Sequence, residues 1–412
     1  MKTILTLTLL AWVTLTSQAK PLQVFILAGQ SNMQGHAKIS TIEHIGMDPK
    51  TKPMMEEMLQ PDGTPRTCQR VWISSIGCGA NDTEEQTGQL TAGFGASKEK
   101  IGPEFSFGLT MEKHTDSPIL LIKTSWGGKS LNTDFRPPSA GPYIFHEDQL
   151  AQFAKQGKNL DEMKAAKAKE TGVYYKLMME HVKKVLGDIK RVVPDYDEKQ
   201  GYELAGFAWF QGWNDMVDSG TYPQRDKPGG YDAYTEVLTH FIRDIRKDLQ
   251  APKLPFAIGV IGVGGPTMLY GPSEKRYQAT HQNLRDAMAA PAKMPEFQGN
   301  VSAVLTEQYW DLELSAAKAK ENELKQQANK TAKEKKLAAA DEKVVFEALR
   351  KEKMTEREQS ILAKGISNLE YHYLGCAKIL GGIGKGLAES LSKMPNHSIS
   401  PTSPSGNDDK DR

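Results

Sequence analysis

The chain has 412 residues, 39% hydrophobic and 25% charged, enough for one large α/β domain with insertions or for two domains. Its 52 basic and 51 acidic residues leave a formal net charge of +1, which argues against electrostatic capture of nucleic acid or of an anionic membrane. The balance points to a neutral or small-molecule partner.

The first nineteen residues, MKTILTLTLLAWVTLTSQA, carry a lysine, an apolar stretch and then small residues at Ser17 and Ala19. That is the pattern of a cleaved secretory signal rather than of an N-terminal core helix, so the mature chain is expected to begin near Lys20, after cleavage at Ala19, and to be secreted or periplasmic. No later stretch reaches the length of a membrane-spanning helix. Of the three cysteines, Cys68 and Cys78 could pair in an oxidising compartment, leaving Cys376 as a small buried hydrophobe.

LQVFILAG (22–29) reads as a short, fully buried strand that stops at Gly29, Gln30 and Ser31. A serine at the carboxyl end of such a strand sits where open α/β sheets place their ligand crevice. The competing reading makes Ser31 or Asn32 an ordinary helix cap. A polar, glycine-containing stretch runs from there to about residue 100 and includes VWISSIG (71–77), expected as a peripheral strand. GPEFSFGLTMEK (102–113) has helical spacing. Four more apolar strands follow: SPILLIKTSWGG (117–128), YELAGFAWFQGWND (202–215), LPFAIGVIGVGG (254–265) and NVSAVLTEQYWD (300–311). Helical patterns over 172–189 and 231–249 separate them, so a mainly parallel five-stranded sheet covered by helices on both faces is predicted. Residues 312–364, rich in Ala, Lys and Glu, read as one or two long solvated helices inserted before the last helix of a domain spanning 20–392. The tail over 393–412 has almost nothing to bury and is expected to be disordered.

The strand ends collect the chemistry. Ser31 offers a nucleophile, which needs a histidine base, and His372 stands just before the amphipathic last helix. A tetrahedral oxyanion needs convergent donors, for which the Ser31 amide, a Gly127 or Gly128 amide, and the side chain of Gln211 or Asn214 are candidates. The serine is not in a G-x-S-x-G frame. The remaining histidines show no ligand spacing with cysteine or acid, so no metal is expected; IGVGG (261–265) lacks a nucleotide-loop frame, so no cofactor is expected either. His36 reads as a loop or substrate-contact residue rather than the base. Trp126, Trp213, Tyr309 and Trp310 could be core residues or could stack on sugar rings.

Gly29-Gln30-Ser31-Asn32-Met33 resembles the first block of the SGNH hydrolases, in the form used by the sialate O-acetylesterase-like branch and carbohydrate esterase family six. Gly212-Trp213-Asn214-Asp215 is similar to the G-x-N-D block of that superfamily, the Trp126-Gly127-Gly128 turn to its second block, and His372 with its following helix to its last. The resemblance implies a three-layer α/β/α sandwich and removal of acetyl groups from a sugar or polysaccharide. It implies Ser31 as nucleophile and His372 as base, with Gln30, Asn32, Trp126 and Trp213 lining the substrate. One departure stands out: the superfamily's acid three residues before the histidine is replaced by Leu369. Asp311 is the expected substitute, because looping out 312–364 would bring it close to His372. Glu104 and Asp215 are weaker candidates, and a dyad steadied by a backbone carbonyl is another solution. Two other functions compete: a lipase or thioesterase of the same fold, and a non-catalytic carbohydrate-binding protein that has lost its acid.

Overall fold

The computed structural model describes residues 20–395, so the signal segment and most of the tail lie outside the described residues. Nine strands form there: β1 Leu22–Gly29, β2 Ala37–Lys38, β3 Val71–Ile76, β4 Gln86–Gln89, β5 Lys100–Ile101, β6 Ile119–Ser125, β7 Tyr202–Phe210, β8 Phe256–Val260 and β9 Val301–Leu305. The helices are α1 Ser31–Gln34, α2 Ile42–Ile45, α3 Lys52–Met58, α4 Pro103–His114, α5 Glu147–Lys155, α6 Leu160–Glu170 and α7 Val173–Gly187. They continue as α8 Trp213–Val217, α9 Asp232–Asp248, α10 Gln278–Ala289, α11 Leu312–Glu334, α12 Ala339–Lys353, α13 Glu356–Gly365 and α14 Ala377–Ser392.

The main sheet has seven strands in the order β4-β3-β6-β1-β7-β8-β9, parallel except for the antiparallel β3–β4 pair. Two strands exceed the sequence expectation. β3 is not peripheral: it lies between β4 and β6, with Val71 and Ile73 fully buried. β4, QTGQ, has no apolar alternation because its side chains are exposed or half-buried on an edge.

Helices cover both faces. Phe25 of β1 meets Phe107 of α4, and Gly206 of β7 lies against Leu391 of α14, whereas the next residue, Phe207, packs on Phe241 of α9. Successive strand residues point to opposite faces, so α4 and α14 lie on one side and α9 on the other. α7 joins α9 through a Tyr175–Phe241 contact. The chain passes from β1 to β3 and β6 on one flank, then crosses to β7, β8 and β9 on the other. This puts the topological switch, and hence the crevice, at the carboxyl ends of β1 and β7.

The inserted segment forms three helices, not one or two. It breaks again at Met354, where Thr355 and Glu358 form a reciprocal capping box that starts α13. α11 buries Leu314, Ala317, Leu324 and Ala328, while α12 buries no residue. Cys68, Cys78 and Cys376 are all buried free thiols, so Cys68 and Cys78, which the sequence left open to pairing, are not bridged. Burial pushes the Cys68 and Cys376 thiols up to about 12, which makes both inert at neutral pH.

Candidate active site

β1 ends at Gly29, where a Cβ would stand 2.1 Å from the Phe210 carbonyl oxygen, so only glycine permits this approach of β1 to β7. One residue later Gln30 turns its side chain inward. Its Oε1 accepts from the amides of Gly212 (2.9 Å) and Asn214 (3.4 Å), and its Nε2 donates to Asn214 Oδ1 (2.9 Å). Gln30 is therefore a buried clamp between the serine turn and the β7 loop, not a substrate contact. Ser31 opens the single turn α1, with a largely buried side chain. Its hydroxyl makes no hydrogen bond among the described residues.

His372 follows in a 3-10 segment, Glu370–Gly375, whose chain reverses through left-handed backbone at Tyr373 (φ 52°), Leu374 (φ 60°) and Gly375 (φ 57°). Left-handed conformations at two non-glycine residues cost about 1–3 kcal/mol each and persist only when the surroundings impose them. The surroundings here are specific. The fully buried Tyr373 hydroxyl accepts from the Gly262 amide (2.8 Å) and bonds to Thr306 Oγ1 (2.9 Å), which itself donates to the Val260 carbonyl (2.7 Å). Behind the turn, α14 closes on α4 through Gly384, whose Cβ would collide with the Pro103 carbonyl at 2.1 Å. Asn32 Nδ2 donates to the Tyr371 carbonyl (3.2 Å), joining the residue after the serine to the residue before the histidine.

The partner of His372 is Asn368. Its Oδ1 lies 3.0 Å from His372 Nδ1 and also accepts from the Leu369 amide (2.7 Å). The Leu369 amide can only donate, which fixes the oxygen end of the Asn368 amide. His372 must then donate from Nδ1, leaving the Nε2 lone pair as the basic site. Burial, and secondarily the Lys100 charge, hold the His372 imidazole down at about 4, so it is neutral at ordinary pH.

Asp311 is not this partner. Its carboxylate caps α11 through the Leu314 amide (3.0 Å) and pairs with His44 Nε2 (2.8 Å) and Lys378 Nζ (3.0 Å). These contacts hold its carboxyl well below the usual range despite burial. Glu104 is likewise structural: fully buried, it takes Lys123 Nζ (2.8 Å) and the Gly102 amide (2.8 Å), while Lys123 also donates to the carbonyls of Gln34 (2.8 Å) and Phe94 (2.7 Å). Asp215, pushed up to about 6 by complete burial, accepts from the Leu131 and Asn132 amides, Gln211 Nε2 and the Tyr222 hydroxyl, and so orders the loop after β6.

The donor candidates separate in the same way. Gln211 is consumed by Lys129 O, Asp215 and the Tyr234 hydroxyl, so its side chain cannot serve an oxyanion. Asn214, held through Oδ1 by Gln30, keeps its Nδ2 donors free, and the Ser31 and Gly127 amides have no acceptor among the described residues. Gly128 occupies a left-handed turn (φ 74°) in open space. Trp126 is buried and donates to the Asp82 carbonyl (2.9 Å), and Trp310 is buried too, so both belong to the core. Asn32 is buried and braces the histidine loop. Trp213, half-buried and with its ring centroid 5.6 Å from that of Tyr371, is the expected substrate residue that the fold leaves partly open to solvent. Sequence reasoning missed Asn368 and Tyr371. The only signal was a polar Ser-Asn pair ahead of the histidine in GISNLEYHY.

A serine at a strand end, a neutral histidine oriented by an amide oxygen, and three unoccupied N–H donors are the parts of an acyl-transfer hydrolase on an α/β/α sandwich. The family model of carbohydrate esterases described as sialic acid-specific acetylesterases matches residues 21–296, and the chain belongs to that family. The match ends before His372. A protein from Arabidopsis thaliana is 18% identical, with 69% of this chain and 86% of that one covered at a TM-score of 0.36. A carbohydrate acetylesterase from Xanthomonas citri is 13% identical over 68% of this chain, at a TM-score of 0.37; the alignment spans 49% of its length. NanS is 12% identical over 69% of this chain and 78% of its own, at a TM-score of 0.37. No curated protein sequence matches the chain.

Proposed function

We propose that this carbohydrate esterase is a serine-nucleophile O-acetylesterase acting on an acetylated sugar or polysaccharide, with Ser31, His372 and Asn368 as its triad. The observation that carries the reading is the Asn368–His372 hydrogen bond, in a loop tied to the residue beside Ser31. His372 Nε2 takes the Ser31 proton as Oγ attacks the acetyl carbonyl. The oxyanion is received by the amides of Ser31 and Gly127 and by Asn214 Nδ2. Collapse of the tetrahedral species expels the sugar oxygen, which takes its proton from His372 Nε2, and leaves an acetyl ester on Ser31. Water then enters, gives a proton to the same nitrogen and attacks the acetyl carbonyl; collapse expels Ser31 Oγ, which takes that proton back from His372 Nε2, and acetate leaves. Asn368 keeps Nδ1 protonated throughout, the orienting role an acid fills in other triads. Trp213 and Tyr371 offer aromatic faces to the sugar ring.

The reading includes export, because residues 1–19 have the signal pattern and no helix among the described residues is long and apolar enough to cross a membrane. N-terminal sequencing of the exported protein should begin near Lys20. The decisive experiment is acetate release from p-nitrophenyl acetate and acetylated sugars by wild type, Ser31→Ala and His372→Ala. Loss of several orders of magnitude in both variants supports the triad. Unchanged turnover in either removes it.

A further inference from the structure

His36 and His372 lie face to face, ring centroids 4.0 Å apart and planes inclined by 2°. This is a built arrangement. After α1, Gly35 (φ 91°) turns the chain so tightly that a Cβ there would stand 2.0 Å from Gly102 Cα. The chain then enters the β2–β5 ribbon, in which Ala37 faces Ile101 and Lys38 faces Lys100. The ribbon brings Lys100 Nζ within 3.4 Å of His36 Nδ1. An ammonium can only donate, so His36 accepts at Nδ1 and carries its proton on Nε2. The ribbon is also stitched to the histidine loop. Ser367 Oγ accepts from the Lys38 amide (3.0 Å) and donates to the Gly375 carbonyl (2.6 Å).

A single hydrogen bond at Nδ1 leaves an imidazole free to swing about that bond. His372 has Asn368 at Nδ1 and the Tyr371 ring 4.4 Å away, inclined by 66°. Among the described residues, the ring stacked parallel on His372 is His36.

We propose that His36, steered by Lys100, is a positioning platform that fixes the ring plane of His372 and so aims Nε2 at Ser31. The proposal rests on the esterase reading above. His36 touches neither substrate nor reacting atoms; it acts through the base. The charged and titratable groups around the stacked pair include Lys100 from β5, Lys123 from β6, Tyr371 beside His372 and the two rings themselves; Lys123 is already paired with Glu104. Burial, His372, Lys100 and Lys123 hold His36 down at about 3, so the stack is neutral at working pH and no cation–cation repulsion opposes it.

The test compares His36→Ala, His36→Phe and Lys100→Met with wild type and Ser31→Ala, each checked by circular dichroism and thermal melting. His36→Ala should lower kcat roughly 10–100-fold with KM little changed, as expected for a misplaced catalytic group. His36→Phe keeps a flat ring and should recover most of the loss. Lys100→Met removes a positive charge near the base and should move the acid limb of kcat/KM upward, toward the ordinary imidazole value. If Ser31→Ala is inactive while folded His36→Ala matches wild type, the platform is wrong and the esterase reading stands. Equal losses in His36→Phe and His36→Ala also overturn it, and an inert wild type on every acetyl ester overturns both.

Discussion

Replacing Asn368 by aspartate would place a full negative charge 3.0 Å from His372 Nδ1, where the protein now presents a neutral amide oxygen. The exchange is nearly isosteric. The Leu369 amide still finds an acceptor, and Asn368 Nδ2 has no partner to lose among the described residues. In the proposed mechanism the transition state turns His372 into an imidazolium, so a carboxylate stabilises it more than it stabilises the neutral ground state. Unit charges about 4 Å apart interact by about 1 kcal/mol in water and about 4 kcal/mol near a protein surface. Asn368 and His372 are half-buried. An intermediate value of ~2 kcal/mol corresponds to a roughly 30-fold rise in kcat. The same charge favours the protonated base, so the acid limb, which wild type should show at about 4 because His372 must be neutral to accept a proton, moves to higher pH. Steady-state acetate release between pH 3 and 9 reads both effects. Asn368→Ala, which removes the acceptor, should fall by roughly 10–100-fold. An aspartate variant no faster than wild type, with its acid limb unmoved, would refute the assignment of Asn368 to the base.

Three further outcomes follow from the geometry. Asn214→Asp keeps the acceptor for Gln30 Nε2 but removes the free side-chain donor, and should cost roughly 10²–10³ in kcat; a loss confined to KM would count against an oxyanion role. Asp311→Asn weakens the pairing with His44 and Lys378, so the melting temperature should drop while kcat of the folded enzyme is kept; Asp311's depressed carboxyl adds stability above its unfolded value and loses it as pH falls, so the gap between variant and wild type should narrow in acid. Lys123→Met leaves Glu104 fully buried without its partner and should destabilise by about 3–5 kcal/mol, whereas Lys123→Met with Glu104→Met should regain much of it; denaturant unfolding measures both.

The sheet was readable wherever burial on both faces forces continuous apolar runs, as in β1, β6 and β8. β4 escaped because an exposed edge strand needs no such run. Strand ends in an open sheet converge, which places Ser31 after β1 and Asn214 after β7, while Asn32 ties the His372 loop to the same edge. Sequence offers no measure of which polar residues the fold spends on itself, and for that reason Gln30, Gln211 and Asp215 looked available although each is consumed by backbone or side-chain partners, and Asn32 although its Nδ2 is spent on the Tyr371 carbonyl. Asp311 failed for a related reason. Looping out the insertion does bring it near the last helix, but onto Lys378, and its second partner, His44, had been passed over for lacking ligand spacing. Asn368 was hidden by the left-handed run Tyr373–Gly375. That run folds the loop back on itself, with the Asn368 amide on the Leu374 carbonyl (3.0 Å), and so makes the fourth residue before the histidine its neighbour.

The bond from Asn32 to the Tyr371 carbonyl joins positions 339 residues apart. A ribosome therefore makes the serine turn long before the histidine loop it is tied to. The seven strands can pair, and α4 can settle on the sheet, before the histidine loop and α14 exist. Until that last segment is made, Ser31 lacks the histidine that the proposed triad assigns to it.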